Sequence, residues 1–303
     1  YPLQQAKLSA EIFREGNIPR FTALVELGNE FDKMCGAQTV EWEGKEVSLS
    51  ALKLPLQSED RSVREQAFRV RHNRILADRS KYNELWAKAY DIRIEVAKEA
   101  GFASFTDYQY KAMGRLDYSQ KDCDSFRTAI AETVVPAMER IMKRRAEKLG
   151  YDVLKPWDES VDAYSSTPLR PFANEEEFME KAKPIFAKVD PQCDAWYRQM
   201  VEEGLMDLMG RKGKANGGYC TAFPRAKRPF IFMNGVGTHD DVQTLLHEAG
   251  HCFHAYECFE LPYGLMKNPG LEFCEVASMG MEMLCQPYLD AYYSPAEDRK
   301  SVV

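Results

Sequence analysis

The stretch 242–256, VQTLLHEAGHCFHAY, constrains the fold of this chain more than any other. Val242, Leu245, Leu246, Ala249, Phe253 and Tyr256 recur at helical spacing and define one apolar face. Thr238, with Asp241 three residues on, predicts the helix start as an aspartate version of a capping box. The polar residues inside this helix are His247, Glu248 and His251, in the pattern H-E-x-x-H. Two histidines four apart stand one turn apart on one face and can reach the same ion. Glu248 points off that face, which suits a general base better than a ligand. A buried glutamate between two histidines is costly without a metal or polar partners. Four of the five histidines, His239, His247, His251 and His254, gather here.

A third ligand must come from elsewhere. His254 lies about 10 Å along the axis from His247, so three histidines of one helix cannot converge. Position 257, where a third histidine stands in one related zinc pattern, is Glu257. A second helix over 271–282, LEFCEVASMGME, follows the turn signal of Asn268, Pro269 and Gly270. Glu275 sits among apolar and small neighbours, which predicts a buried carboxylate. Ala277, Ser278 and Gly280 would let two helices approach closely. Glu272 is the alternative, although a position near a helix start is more simply explained by the helix dipole. Spacing favours Glu275. Cys252 and Cys274 adjoin these positions, but Cys252 faces away from the histidines and packing explains it better.

The stretch THDDVQTLLHEAGHCFHAY, followed by LEFCEVASMGMEML, resembles the oligoendopeptidase F and thimet-oligopeptidase family of zinc metallopeptidases. The shared signature is H-E-x-G-H-x-x-H and then E-x-A-S. GGYCTAFPRAKRPFIFMN is similar too, and so, more loosely, are the stretches around 116–118 and 155–158. The resemblance implies that His247, His251 and Glu275 hold Zn2+. It implies that Glu248 is the base in hydrolysis of a peptide bond, with an oligopeptide as substrate. A sheet edge beside the zinc helix pairs with the peptide in that family. Glu282, one heptad after Glu275, is a candidate to orient a histidine, a surface carboxylate being the commoner role.

One departure matters. The family extends well past a point like Val303 and carries there a histidine and tyrosines that bind substrate. Tyr288, Tyr292 and Tyr293 do not match that pattern. The expectation is a longer enzyme, of which this chain is part, with a completing partner chain as a further possibility. The alternative is an incomplete or inactive peptidase-derived module that binds zinc and peptide.

The rest of the chain reads as mostly α. Residues 1–38 look helical, and 39–49 alternate around Glu43 and Gly44 as a short hairpin. Ser58 is placed to cap the next helix, and helical sequence continues to Gly101 and again over 102–113. His72, in the first of these, reads as a surface or interhelix residue. A longer helix over 119–149 carries the stripe Phe126, Ile130, Val134, Val135, Met138, Ile141 and Met142, with a kink expected at Pro136 and an end at Gly150. Residues 151–173 form an irregular connector. Asn174 caps a helix, and another runs over 191–209. The basic, glycine-rich loop 211–218 lacks the arrangement of a phosphate-binding loop. Two apolar runs, 219–223 and 229–233, predict a small hairpin, with Pro229 suited to an edge strand.

These readings combine into a multi-helix peptidase catalytic domain with a small β element beside the H-E-x-x-H helix. Residues 1–150 form a helical region and 151–303 a connector plus zinc-peptidase core, read together as one continuous catalytic domain. A net charge of −7 argues against a nucleic-acid partner. No apolar run is long enough for a membrane span. Eight scattered cysteines without a C-x-x-C pair read as reduced thiols, which predicts a cytoplasmic protein.

Overall fold

The computed structural model describes residues 1–164, 168–267, 269–295 and 297. The turn position Asn268 and residues 298–303 lie outside them. The fold is mostly α, as expected, and the early helical region is broken more often than periodicity showed. Helices α1 (Pro2–Ile12) and α2 (Ile18–Gly36) are separated by a short 3-10 turn. Phe13 and Phe31, apolar positions of this region, are 61% and 45% exposed. The hairpin of β1 (Thr39–Trp42) and β2 (Lys45–Ser48) is present, with Thr39 opposite Ser48. Its turn residues Glu43 and Gly44 have φ of 50° and 75°, as a two-residue turn matched to strand twist requires.

Helix α3 (Arg61–Ala77) is capped by Asp60, whose carboxylate accepts the Ser62 N–H at 2.8 Å. Ser58 does not cap it; its hydroxyl accepts the Asp60 N–H at 3.2 Å, one step earlier. Helix α4 (Arg79–Glu99) stops before Gly101, and α5 (Phe105–Ala112) is capped by Ser104. His72 on α3 stacks on Phe68 with centroids 3.8 Å apart, an intrahelical role. The long helix is α6 (Gln120–Ala129), a π turn over Ile130–Val134, and α7 (Val135–Leu149). Pro136 lies in the first turn of α7, where a missing N–H is tolerated, and the π turn accommodates the break. Gly150 ends α7 in the left-handed region, at φ 70°. The apolar stripe forms but does not find a core: its side chains are 37–67% exposed.

The connector is irregular over its described part; residues 165–167 lie outside it. Asp158, fully buried, fixes it to α3 through Arg64 at 2.8 Å and Arg61 at 2.6 Å. Helix α8 (Glu175–Val189) is capped by Asn174 as predicted, and α9 (Pro191–Glu202) follows. The expected continuation of α9 to Met209 is wrong. Gly204, at φ 65°, turns the chain, and β3 (Met206–Met209) pairs in parallel with β5 (Arg228–Gly235). Strands β4 (Tyr219–Phe223) and β5 (Arg228–Gly235) form the predicted hairpin, and the sheet order is β3-β5-β4. Pro229 is therefore on the central strand, not an edge. It sits at the start of β5 opposite Ala222, before the residues that pair with β3, so no β3 bond is lost.

Helices α10 (His239–Phe259) and α11 (Leu271–Cys285) complete the fold. Val242, Leu245, Leu246, Ala249, Phe253 and Tyr256 are all buried, against Phe178, Ile185, Phe186, Tyr197 and Met233 from α8, α9 and β5. Each large apolar side chain so buried contributes roughly 1.5–3 kcal/mol, which makes α10 the best-anchored element of the site. Among the described residues no helix is long and apolar enough to cross a membrane.

Candidate metal centre and active site

The start of α10 is fixed by Asp241. Its Oδ2 accepts the backbone N–H groups of Val236, Gly237 and Thr238 at 2.8, 3.0 and 2.8 Å, and the Thr238 hydroxyl at 2.9 Å. Three otherwise orphaned donors converge on one carboxylate, a stronger device than the capping box expected from sequence. About two and three turns later His247 and His251 project from the same face, with ring centroids 4.9 Å apart.

Helix α11 crosses α10 at Gly250. A Cβ there would stand 2.7 Å from the Ala277 carbonyl oxygen and 2.7 Å from Ser278 Cα, so only glycine permits this approach. Ala277 and Ser278 take part as predicted. Gly280 does not, since an added Cβ would meet nothing within 4 Å.

The crossing brings Glu275 to the histidines. Its Oε2 is 3.2 Å from His247 Nε2 and 3.6 Å from His251 Nε2, and one ligand atom from each residue lies within 4.8 Å of the others. Ligands about 2.0–2.2 Å from a tetrahedral zinc ion stand about 3.3–3.6 Å apart, which the two measured separations match. Glu272 is elsewhere. It binds Arg115 at 2.9 Å and accepts the Tyr118 hydroxyl, tying the start of α11 to the 115–118 stretch. Glu275 is not buried, contrary to expectation. Its side chain is 46% exposed because the outer face of α11, including Val276 and Met279, is open. Ser278, fully buried, donates to Glu275 Oε2 at 2.8 Å and supplies the orientation that burial was expected to give.

Glu282 contacts His247, with Oε1 2.7 Å from Nδ1. A carboxylate only accepts, so Nδ1 carries the proton and Nε2 keeps its lone pair for a metal. Burial holds the His251 pKa below its ordinary value, against the pull of Glu275, and so favours the neutral ligand form. Glu248 is 6% exposed. Burial raises its pKa, the Glu275 charge adds to this, and His247 and the Cys220 backbone N–H oppose it. Its Oε2 is buried with no partner among the described residues. An orphaned carboxylate oxygen beside two imidazoles and a second carboxylate is what a base facing a metal-centred reaction site would present, so the residues fit zinc.

Other candidates fall away. Cys252 is buried behind the helix, its Sγ 3.3 Å from Cys220 Sγ, and Cys274 is outside the ligand group. His254 is half-buried and separate. His239 Nδ1 bonds the Tyr293 hydroxyl at 2.7 Å, and the Tyr292 hydroxyl donates to the Phe178 carbonyl at 2.5 Å, so both tyrosines serve the core. The cations of the basic loop are engaged: Arg211 and Lys214 pair with Asp207 and Lys212 with Glu46.

Sequence reasoning missed the packing roles of Gly218 and of Gly250, the latter present only as a residue of the shared signature. A Cβ at Gly218 would lie 3.2 Å from Thr244 Cγ2 and 3.6 Å from Glu248 Oε1, so the loop backbone presses against the base. The adjacent glycines before β4 were the available signal.

A model of peptidase family M3 matches residues 54–301. The chain is 27% identical over 244 residues to oligopeptidase PepF of Bacillus subtilis (strain 168), covering 77% of this chain and 34% of the relative. It is 25% identical over 228 residues to a plasmid oligoendopeptidase F of Lactococcus lactis subsp. cremoris, covering 74% and 36%. Among solved structures, PZ peptidase A with inhibitor 2 superposes with a TM-score of 0.95 at 29% identity, over 99% of this chain and 53% of that one. The chain thus spans about a third of these curated relatives and about half of the solved chain. The family match runs through α10 and α11 and takes in every residue of the candidate centre, and on it the chain belongs to peptidase family M3.

Proposed function

We propose that this chain carries the site of a zinc-dependent endopeptidase that hydrolyses oligopeptides, with His247, His251 and Glu275 as ligands and Glu248 as general base. The observation that carries the reading is the convergence of two imidazoles from α10 and one carboxylate from α11 beside a buried glutamate. A bound zinc ion would supply Lewis acidity, polarising the scissile carbonyl and acidifying water. Glu248 takes the proton from the attacking water and passes it to the leaving amine, tasks that its raised pKa suits. Glu282 holds His247 in one tautomer, and Ser278 holds Glu275. Strand β4 is the edge of its sheet and adjoins α10, so a peptide added to it would run past Glu248 with backbone bonds supplying affinity.

The whole chain is read as one catalytic unit, 1–150 with 151–303. Arg64 with Asp158, Arg115 with Glu272 and Lys212 with Glu46 are among the contacts that tie the two regions. The free thiols suit a reducing cytoplasmic setting. The second reading is a module that binds zinc and peptide without cleaving, for which the half-exposed side chain of Glu275 and the open outer face of α11 speak. Zinc content and cleavage of an internally quenched peptide, for this chain and Glu248→Gln, separate the two. Bound zinc in both, with cleavage lost in the variant, is expected. Zinc in both with no cleavage in either supports the module, and no zinc refutes both.

A further inference from the structure

A cavity of about 530 Å³ opens beside Glu248, walled by α2, α3, β5, α10 and the Gly217–Gly218 loop. Gly218 and Thr244 line it, and Gly218 packs against both Thr244 and Glu248, 3.2 and 3.6 Å from where its Cβ would stand. Its size is that of a site for a small ligand or a few peptide residues. Two cations line it, Lys53 and Arg71, and one carboxylate, Asp241. Asp241 is already committed: one oxygen accepts three backbone N–H groups and a hydroxyl, and the other stands 3.9 Å from Lys53.

Arg71 differs from its neighbours. Arg61 and Arg64 pair with Asp158 and Arg74 with Asp78, whereas Arg71, half-buried on the cavity wall, has no hydrogen bond, ion pair or ring contact among the described residues. Ile75, one turn on, lines the same cavity, as two residues four apart on one helix face should. A guanidinium offers five donors in a planar fork that matches a carboxylate, and an apolar wall strengthens the pairing.

We infer that the cavity is a carboxylate-binding subsite, in which Arg71 receives a peptide's C-terminal carboxylate or acidic side chain, with Lys53 adding positive charge at the same wall. The inference rests on the reading of this chain as a peptide-binding protein. It assigns a substrate preference to the arginine rather than a part in the chemical step.

The test measures binding, not cleavage. Dansylated hexapeptides of one neutral sequence are titrated into the chelator-treated chain and followed by fluorescence anisotropy. One ends in a free carboxylate, one in an amide, and a set of amides carries a single glutamate stepped along the sequence. The expected result is that at least one acidic peptide binds about tenfold or more tightly than the neutral amide. Arg71→Ala then brings it to the neutral peptide's affinity, and Arg71→Lys, which keeps the charge without the fork, retains part of the preference. The peptide that carries the preference identifies the source of the carboxylate. Equal binding of neutral and acidic peptides, an equal loss for all of them in Arg71→Ala, or no binding of any would overturn the inference. Zinc content and cleavage are read separately, so a failure of the metallopeptidase reading leaves this result interpretable.

Discussion

Gly250→Ala tests whether the α10–α11 crossing sets the site. A Cβ at this position would lie 2.7 Å from the Ala277 carbonyl oxygen, 2.7 Å from Ser278 Cα and 2.9 Å from Met281 Cβ. The first two atoms are backbone and cannot rotate aside. Restoring an ordinary 3.4 Å contact from 2.7 Å requires the helices to part by about 0.7 Å. Alanine gains about 1 kcal/mol over glycine in helix propensity, and overpacking costs about 1–3 kcal/mol, so the net loss of stability is at most about 2 kcal/mol. The effect on the site is larger. Glu275 lies just before the displaced residues, and zinc–ligand distances hold to within about 0.2 Å, so zinc affinity should fall at least about tenfold. Chelator competition measures the affinity, and urea unfolding of the metal-free chain measures the stability. Gly280→Ala is the control, because its Cβ meets nothing within 4 Å; it should gain stability and leave zinc binding alone. A Gly250→Ala protein that binds zinc like the parent, or gains stability as the control does, would refute the reasoning.

Asp158→Ala should cost roughly 3–5 kcal/mol in urea unfolding, because it leaves the fully buried Arg64 charge without its carboxylate. Glu282→Ala should weaken zinc binding about 10–100-fold by chelator competition while leaving the ligand set whole. Asp207 predicts a pH effect. The Arg211 hydrogen bond, with Lys214 and against partial burial, lowers its pKa to about 2. Its folded value lies below its unfolded one, so the stability it contributes is complete above about pH 4 and is lost as pH falls toward about 2. The contribution is at most about 2 kcal/mol, less after solvent screening, and about half of it is lost between pH 5 and 3, so Asp207→Asn should reduce the fall in unfolding free energy over that range by at most about 1 kcal/mol.

The histidine pair of the candidate centre was legible in the sequence because its spacing is local. The spacing of His247 and His251 fixes them on one helix face, and the burial of α10 follows from its apolar period. What was not legible depends on partners far away in sequence. Met206–Met209 reads as the end of a helix because four residues show no period, and only pairing with β5 makes them a strand. The α7 stripe predicts the helix correctly but not what covers it, since periodicity reports a face and not its neighbour. Glu275 was expected to be buried from its apolar neighbours, yet Val276 and Met279 face outward, and its order comes from Ser278 instead. Nothing in the sequence sets Arg71 apart from the neighbouring arginines, because a missing ion pair is a property of three dimensions.

The proposed ligands are divided unequally between two elements. His247 and His251 stand on the helix with the deepest burial, and their spacing is set by the backbone alone. Glu275 and Glu282 stand on α11, whose outer face is exposed and whose position depends on the contact at Gly250 and on Arg115 and Tyr118 holding Glu272. Small displacements of α11 therefore change the third ligand and the tautomer control of His247 together, while the two histidines stay in place. It follows that changes at the Arg115–Glu272 tie should alter metal affinity although neither residue reaches the metal centre. Arg115→Ala should weaken zinc binding in the direction of Glu282→Ala, and the two changes combined should be less than additive because they act through one helix. Full additivity in chelator competition would show instead that α11 is held without the tie, and that Glu272 serves only the surface.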